Sequence, residues 1–233
     1  MMKRNNFPFS AVLGLNHAKT AILIVLVNPR AGGLLISGPR GIGKSTLMRS
    51  TQELIERPWR DIPVSVTEDR LFGTIDTEKA IYSGQKKLYP GIINEADQGV
   101  LYLDDANLLR EDLLDSILNI AEVGAYQLER DGLSLRCDTS FTVIAAINPE
   151  SGMLSGACLD QFGLFVNVDN IHDENTRVEI LKRTISFEKD CASFCNLWKL
   201  ENEKIKKAIH SAMSLLPKVV VSSAMIQLAS VYA

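Results

Sequence analysis

No apolar run in these 233 residues is long enough to span a bilayer, which takes about 18 consecutive apolar residues. The stretch Ala18 to Val27 is shorter and contains Lys19, so it reads as a buried helix. The start, Met1-Met-Lys-Arg-Asn-Asn-Phe-Pro8, has no apolar stretch of signal-peptide type, and the expectation is a cytoplasmic protein. A basic surplus is also missing. Lys and Arg number 25 against 28 Asp and Glu, for a net charge of −3, which argues against a nucleic-acid partner. The four cysteines, Cys137, Cys158, Cys191 and Cys195, form no CxxC pair and no disulfide framework of a secreted scaffold. Cys191 and Cys195 lie one helical turn apart, but with no His or third Cys in register they read as small residues on a helix. His17, His172 and His210 are scattered and make no metal set. Internal repeats and low-complexity tracts are absent.

What is present is ordinary in bulk: 46% apolar and 23% charged residues, enough for one large domain or a core with a small second unit. Short apolar runs alternate with helical patterns. Leu34–Ser37, Pro63–Val66, Val100–Leu103, Phe141–Ala146 and Phe165–Val168 read as strands buried on both faces. Ser45–Ile55 and Glu111–Glu122 read as the helices between them. Such alternation predicts an α/β fold with a mostly parallel five-stranded sheet between helices. Ala125–Arg136 breaks the pattern, because Asp131-Gly132 between two alternating segments signals a β-hairpin. From Asp173 onward the periodicity is helical, with segments at Asp173–Phe187, Asn202–Leu216 and Ser222–Tyr232, the second ended by Pro217.

The chemistry concentrates at three strand ends. Gly38-Pro39-Arg40-Gly41-Ile42-Gly43-Lys44-Ser45, followed by Thr46, comes after a strand and opens a helix, the context a phosphate-binding loop needs. Its glycines let backbone N–H groups turn inward around phosphate oxygens. Lys44 supplies a point charge to the β- and γ-phosphates of ATP, and Ser45 a hydroxyl to Mg²⁺. Val100–Leu103 ends in Asp104-Asp105, which places carboxylates at the C-terminal edge of a strand, where open α/β sheets bind ligands. Asp104 is the candidate for Mg²⁺ and Asp105 for orienting the attacking water. Asn148 ends a further run, before Pro149, and is a candidate for the γ-phosphate or the water, although Asn-Pro also begins ordinary turns.

These residues, in this order, resemble an AAA+ ATPase, and closely the I subunit of magnesium chelatase. The likeness covers nearly the whole chain. Phe7–Gly14 resembles the family's opening beside the adenine pocket, and Gly32–Thr46 its Walker A segment. Leu71–Ala80 with Tyr89–Ile93 resembles its insertion in helix 2, and Gly99–Leu109 its Walker B region. Leu128–Arg136 resembles the hairpin before sensor 1, which makes Asn148 sensor 1, and Arg177–Arg183 the start of the helical lid. On this resemblance residues 1–170 are the nucleotide-binding core. Residues 171–233 begin a lid whose remainder, with the sensor 2 arginine, is expected beyond Ala233. The resemblance further implies a homo-oligomeric ring, usually hexameric, or a mixed ring with a D-type subunit. It would work beside a large porphyrin-binding subunit, with ATP hydrolysis driving Mg²⁺ insertion into protoporphyrin IX.

Two departures from the family pattern bear on turnover. Asp105 stands where the family has Glu, so the carboxylate falls short by about 1.5 Å, one carbon–carbon bond. Gln161, in Leu159-Asp160-Gln161-Phe162-Gly163, stands where the family has an arginine finger facing the next subunit's ATP. Arg177, early in the lid, is a candidate replacement. Two other readings stay open: a MoxR-like chaperone that remodels a partner protein, and a regulatory ring subunit that hydrolyses little.

Overall fold

A computed structural model of the protein describes residues 6–75, 88–130 and 133–232. In chain order its strands are β1 (Leu34–Ser37), β2 (Trp59–Ile62), β3 (Gly73–Ile75), β4 (Leu88–Pro90), β5 (Val100–Leu103), β6 (Ala125–Arg130), β7 (Leu133–Asp138), β8 (Thr142–Ile147) and β9 (Leu164–Asn167). Its α-helices are α1 (Asn16–Val27), α2 (Lys44–Ser50), α3 (Glu68–Phe72), α4 (Ile92–Glu95), α5 (Glu111–Val123), α6 (Gly156–Asp160), α7 (Glu174–Lys189), α8 (Cys191–Leu215) and α9 (Ser223–Tyr232).

The centre is a five-stranded sheet in the order β2-β5-β8-β1-β9, parallel throughout. Successive side chains along a strand leave on opposite faces. Leu101, Leu103, Val143, Ala145 and Ile147 therefore meet Leu113, Leu114 and Ile117 of α5 on one face. Val100, Tyr102, Ile144 and Ala146 meet Ile22 and Val25 of α1, Met48 of α2 and Ile209 of α8 on the other. All six residues of β8 are buried, as the middle strand between two helical layers requires. Each such Leu, Ile or Val side chain contributes about 1.5–3 kcal/mol by leaving water.

The second expected strand is displaced. β2 is Trp59–Ile62, paired Trp59↔Val100 to Ile62↔Leu103, and not the apolar run Pro63–Val66. β2 lies at the sheet edge, so polar Arg60 and Asp61 are tolerated there. Pro63 follows it without an N–H to donate. Residues 63–66 form a turn, with Val64 exposed and Val66 buried. The helix expected over Ser45–Ile55 is also shorter. After Ser50 it tightens to a 3-10 turn at Thr51–Glu53, where Ser50 Oγ and Thr51 Oγ1 donate to Leu47 O and Met48 O, both at 2.5 Å.

The hairpin is observed: β6 pairs antiparallel with β7 from Ala125↔Asp138 to Arg130↔Leu133. Its Asp131-Gly132 turn lies outside the described residues. A second antiparallel pair, β3 with β4, frames the expected insertion, of which residues 76–87 also lie outside them. Tyr126 Oη donates toward Phe72 O (2.7 Å) and Asn94 Oδ1 (2.6 Å), tying the first hairpin to this insertion.

Helices follow β9 to Tyr232. Asp173 caps α7 by accepting from Thr176 N at 2.7 Å. α8 runs unbroken over 25 residues from Cys191, far longer than the expected Asn202–Leu216, because no Gly or Pro interrupts it before Pro217. The N-terminal segment fastens this region to the core. Ser10 N and Oγ both reach Asn202 Oδ1, at 3.0 and 2.7 Å. Arg183 donates to Ala11 O at 2.9 Å and lies 4.5 Å from the Trp198 ring centroid. Val178, Leu181 and Ile185 of α7 are exposed. No single helix among the described residues is long and apolar enough to cross a membrane.

Candidate functional site

β1 delivers the glycine-rich segment to the C-terminal edge of the sheet. At Gly38 a Cβ would stand 2.4 Å from Val168 O, so the chain passes where no side chain fits. Gly43, at φ 92°, reverses into α2 and offers no side-chain cap, which leaves the first N–H groups of that helix free of a capping side chain. A Cβ at Gly41 or Gly43 would meet nothing within 4 Å, so the space above the loop is open. Lys44 is folded beneath it, 7% exposed, and its Nζ donates to Gly38 O (2.6 Å) and Pro39 O (2.8 Å). Burial pushes its pKa down, and Arg40 does so further, while Asp105 and Asp104 pull it back up. Both carboxylates are thus neighbours of the ammonium.

β5 supplies the next wall. Ser45 Oγ donates to Asp104 Oδ1 at 3.0 Å, which brings together the two residues read as cation ligands. Arg49, one turn along α2, holds Asp104 Oδ2 at 3.6 Å and Asp61 Oδ2 at 3.6 Å. Asp61 accepts from Trp59 Nε1 at 2.6 Å. Asp105 adopts φ 50° and ψ 49°, a left-handed conformation that Asp tolerates better than most residues. Under Asp104 lies Tyr102, 0% exposed, its ring 5.8 Å from that of Trp59. The Tyr102 hydroxyl is buried without a hydrogen-bond partner. Burial, then the Asp104 charge, raises its pKa far above the ordinary value. An unpartnered buried hydroxyl costs about 1–3 kcal/mol.

The end of β8 completes the site. Asn148 is 1% exposed, and its side chain serves its own turn: Oδ1 accepts from Glu150 N (3.2 Å) and Nδ2 donates to Ser151 Oγ (3.3 Å). Ser151 Oγ also accepts from Arg40 of the loop at 3.3 Å. Asn107, after Asp105, donates to Asn148 O (3.1 Å) and Gly152 O (3.0 Å), so the β5 and β8 ends are bonded together. A cleft of about 1360 Å³ opens beside the loop, between Phe7 and Val12 of the N-terminal segment and Ile171, Arg177, Ile180 and Phe187 toward α7. Ser45, Thr46, Arg40 and Ile42 line its loop side. Gln161 is outside the cleft, exposed at the end of α6, with its amide donating to Ala157 O at 3.5 Å.

These residues fit a nucleotide polyphosphate with its divalent cation. The loop leaves open space, a buried ammonium with two of its three donors used lies beneath it, and a hydroxyl and a carboxylate converge as hard oxygen ligands of the kind Mg²⁺ takes. Apolar walls beyond the phosphate end suit a base and ribose. Tyr102, Arg49 and Asn107 carry no motif of their own; only the fixed spacing from Asp104 marks them in the sequence.

A family described as AAA domain (dynein-related subfamily) matches residues 33–161. The magnesium-chelatase 38 kDa subunit of Rhodobacter capsulatus is 35% identical, over 91% of this chain and 70% of its own length. The magnesium-chelatase subunit ChlI of Synechocystis is 32% identical over 94% and 72% respectively. A ChlI homologue from Methanocaldococcus jannaschii is 32% identical over 99% and 73%. Among solved structures, a chain of the complex between subunits BchI and BchD of magnesium chelatase superposes with a TM-score of 0.67 at 35% identity, covering 92% of this chain and 77% of that one.

Proposed function

The chain belongs to the magnesium-chelatase I-subunit family of AAA+ ATPases, and from that premise we propose that it is the ATP-binding motor subunit of a metal chelatase, coupling ATP hydrolysis to Mg²⁺ insertion into protoporphyrin IX by a partner. The observation that carries this reading is Ser45 Oγ 3.0 Å from Asp104 Oδ1, beside a buried Lys44, at the mouth of an open glycine loop. Residues 1–170 act as the nucleotide-binding core and 171–233 as a helical lid beside the cleft at Ile171, Arg177 and Ile180.

Gly38 to Gly43 and the N–H groups of Lys44 to Thr46 wrap the phosphates, and the Lys44 ammonium bonds the β- and γ-phosphate oxygens. Ser45 and Asp104 hold Mg²⁺, which when bound neutralises charge developing on the phosphates. Asp105 orients the attacking water and accepts its proton. Asn148 and Arg40 share Ser151, so β8 and the loop respond to the phosphates together. The relationship to a BchI–BchD complex supports a D-type partner in a mixed ring. A homo-oligomeric ring, a hexamer, is the alternative assembly, and a large porphyrin-binding subunit completes the reading, with the assembly working in the cytoplasm.

The test is binding of a fluorescent ATP analogue with and without Mg²⁺, beside a Lys44→Ala variant. Losing a charge-assisted hydrogen bond costs about 1.5–3 kcal/mol, so affinity is expected to fall roughly ten- to a hundredfold. A wild-type chain that binds no nucleotide would overturn the proposal. Gln161 and Asp105 favour a second reading, a subunit that binds Mg-ATP and hydrolyses it slowly in rings of its own kind.

A further inference from the structure

Asp105 and Asn148, the side chains read as acting on the terminal phosphate and its water, lie on different strand ends. The β5–β8 ladder stops at Leu103↔Ala145, short of both. Past that pair Asn107 carries the connection. It lies in the 3-10 turn Ala106–Leu108, which Asp105 opens and which Leu108 N closes by donating to Asp105 O at 2.8 Å. Its Nδ2 donates to Asn148 O at 3.1 Å and to Gly152 O at 3.0 Å, the two ends of the turn that the Asn148 side chain caps from within. Carbonyl oxygens accept and cannot donate, so the amide nitrogen must face them, and both its protons are used there. The cost falls at the other end of the amide, where Asn107 Oδ1 is buried without a hydrogen-bond partner. Buried polar atoms are nearly always bonded, so an unpartnered oxygen kept alongside two well-placed donors points to what those donors hold.

Resting on the nucleotide-site reading above, we propose that Asn107 is a positioning residue for ATP hydrolysis, holding the Asp105 carboxylate and the Asn148 amide in fixed register at the terminal phosphate. Asp105 is at φ 50°, and a left-handed conformation in a residue other than glycine persists where its surroundings hold it. Two residues on, the Asn107 amide anchors that turn to the end of β8. The same end of β8 reaches the phosphate loop through Ser151 Oγ, which accepts from Arg40. A shift of either strand end therefore moves both groups together and keeps their spacing. Without the Asn107 donors the two ends move independently, and a misplacement of about 1 Å can cost on the order of a hundredfold in rate. Binding is a separate matter. Lys44 bonds Gly38 and Pro39, and Ser45 bonds Asp104, so their placement does not pass through Asn107.

The experiment uses the full chain with Asn107→Ala and, separately, Asn107→Leu, which keeps nearly the same shape and has no donor. Affinity for a methylanthraniloyl-labelled ATP with Mg²⁺, and single-turnover hydrolysis of ATP at saturating protein, are measured well below each variant's melting midpoint. The expected result is wild-type affinity in both variants, with the hydrolysis rate lowered about ten- to a hundredfold. A Leu variant that hydrolyses at the wild-type rate would overturn the inference, since shape alone would then suffice. So would a loss of affinity as large as the loss of rate, because Asn107 would then support the site as a whole and not the reacting groups. A wild-type chain that binds the labelled ATP and cleaves none would remove the inference, there being no step to position, while the nucleotide site would stand. A wild-type chain that binds none fails the reading on which the inference rests.

Discussion

Asp105 shows how closely conformation and chemistry are tied at a single residue. Its φ of 50° puts it in the left-handed region, which costs most L-residues about 1–2 kcal/mol and Asp less, because its short side chain bonds locally. The short side chain also leaves the carboxylate one carbon–carbon bond from where the family's Glu would hold it. Asp105→Glu should therefore trade one for the other: a stability loss of about 1 kcal/mol or less, with turnover raised on the order of a hundredfold if reach limits the water's attack. Phosphate release and thermal melting measured side by side check both halves. No gain in turnover at unchanged nucleotide affinity would mean that Asp105 is not the limiting group. The placement of Lys44 and Ser45 was legible because a phosphate loop dictates residue type and spacing together, and that of Asp104 because it ends an apolar run. Asn148 was legible as a strand-end amide, but not the turn its side chain caps. Tyr102 was illegible as anything but core, since a strand tyrosine declares its burial and not the loneliness of its hydroxyl.

At the scale of elements, the sheet is carried by mostly apolar strands, and those are the ones the sequence displays. β8 lies between β5 and β1, with every residue buried. Ile144, 0% exposed, packs toward α1, α2 and α8. Ile144→Ala should cost about 2–5 kcal/mol, through lost burial and the cavity left behind. Chemical denaturation followed by circular dichroism reads this directly, and a cost well under 1 kcal/mol would mean that the layers close over the gap. β2 escaped recognition for the complementary reason. An edge strand has one partner and one wet flank, so Trp-Arg-Asp-Ile carries no apolar run, and the apolar run beside it is a turn that buries only Val66. Likewise α8 is longer than its amphipathic stretch suggests, because exposed Leu197 and Leu200 blur the pattern in its first turns and nothing in them breaks a helix.

For the whole molecule, the missing guanidinium is a question about neighbours. The cleft has arginines of its own chain at hand: Arg40, Arg49, Arg177 and Arg183 all line it. Arg177, a candidate finger from its place in the sequence, thus faces the nucleotide cleft of the chain that carries it. Gln161 lies elsewhere, exposed at the end of α6 with its amide on Ala157 O, outside the residues that line the cleft. A neutral amide there does not stabilise charge developing on a neighbour's phosphate, and a finger arginine is worth on the order of 10³–10⁵ in rate. The test separates donor from recipient. A chain carrying both Lys44→Ala and Gln161→Arg has a weakened site but offers a guanidinium. Mixed with wild-type chains, which have sound sites but no finger, it should raise ATP hydrolysis well above that of wild type alone, by more than tenfold. The gain should grow with total protein concentration, because it requires assembly. A mixture no faster than wild type at concentrations where rings form would mean that position 161 does not face a neighbour's nucleotide. The slow step would then lie within the chain, at Asp105.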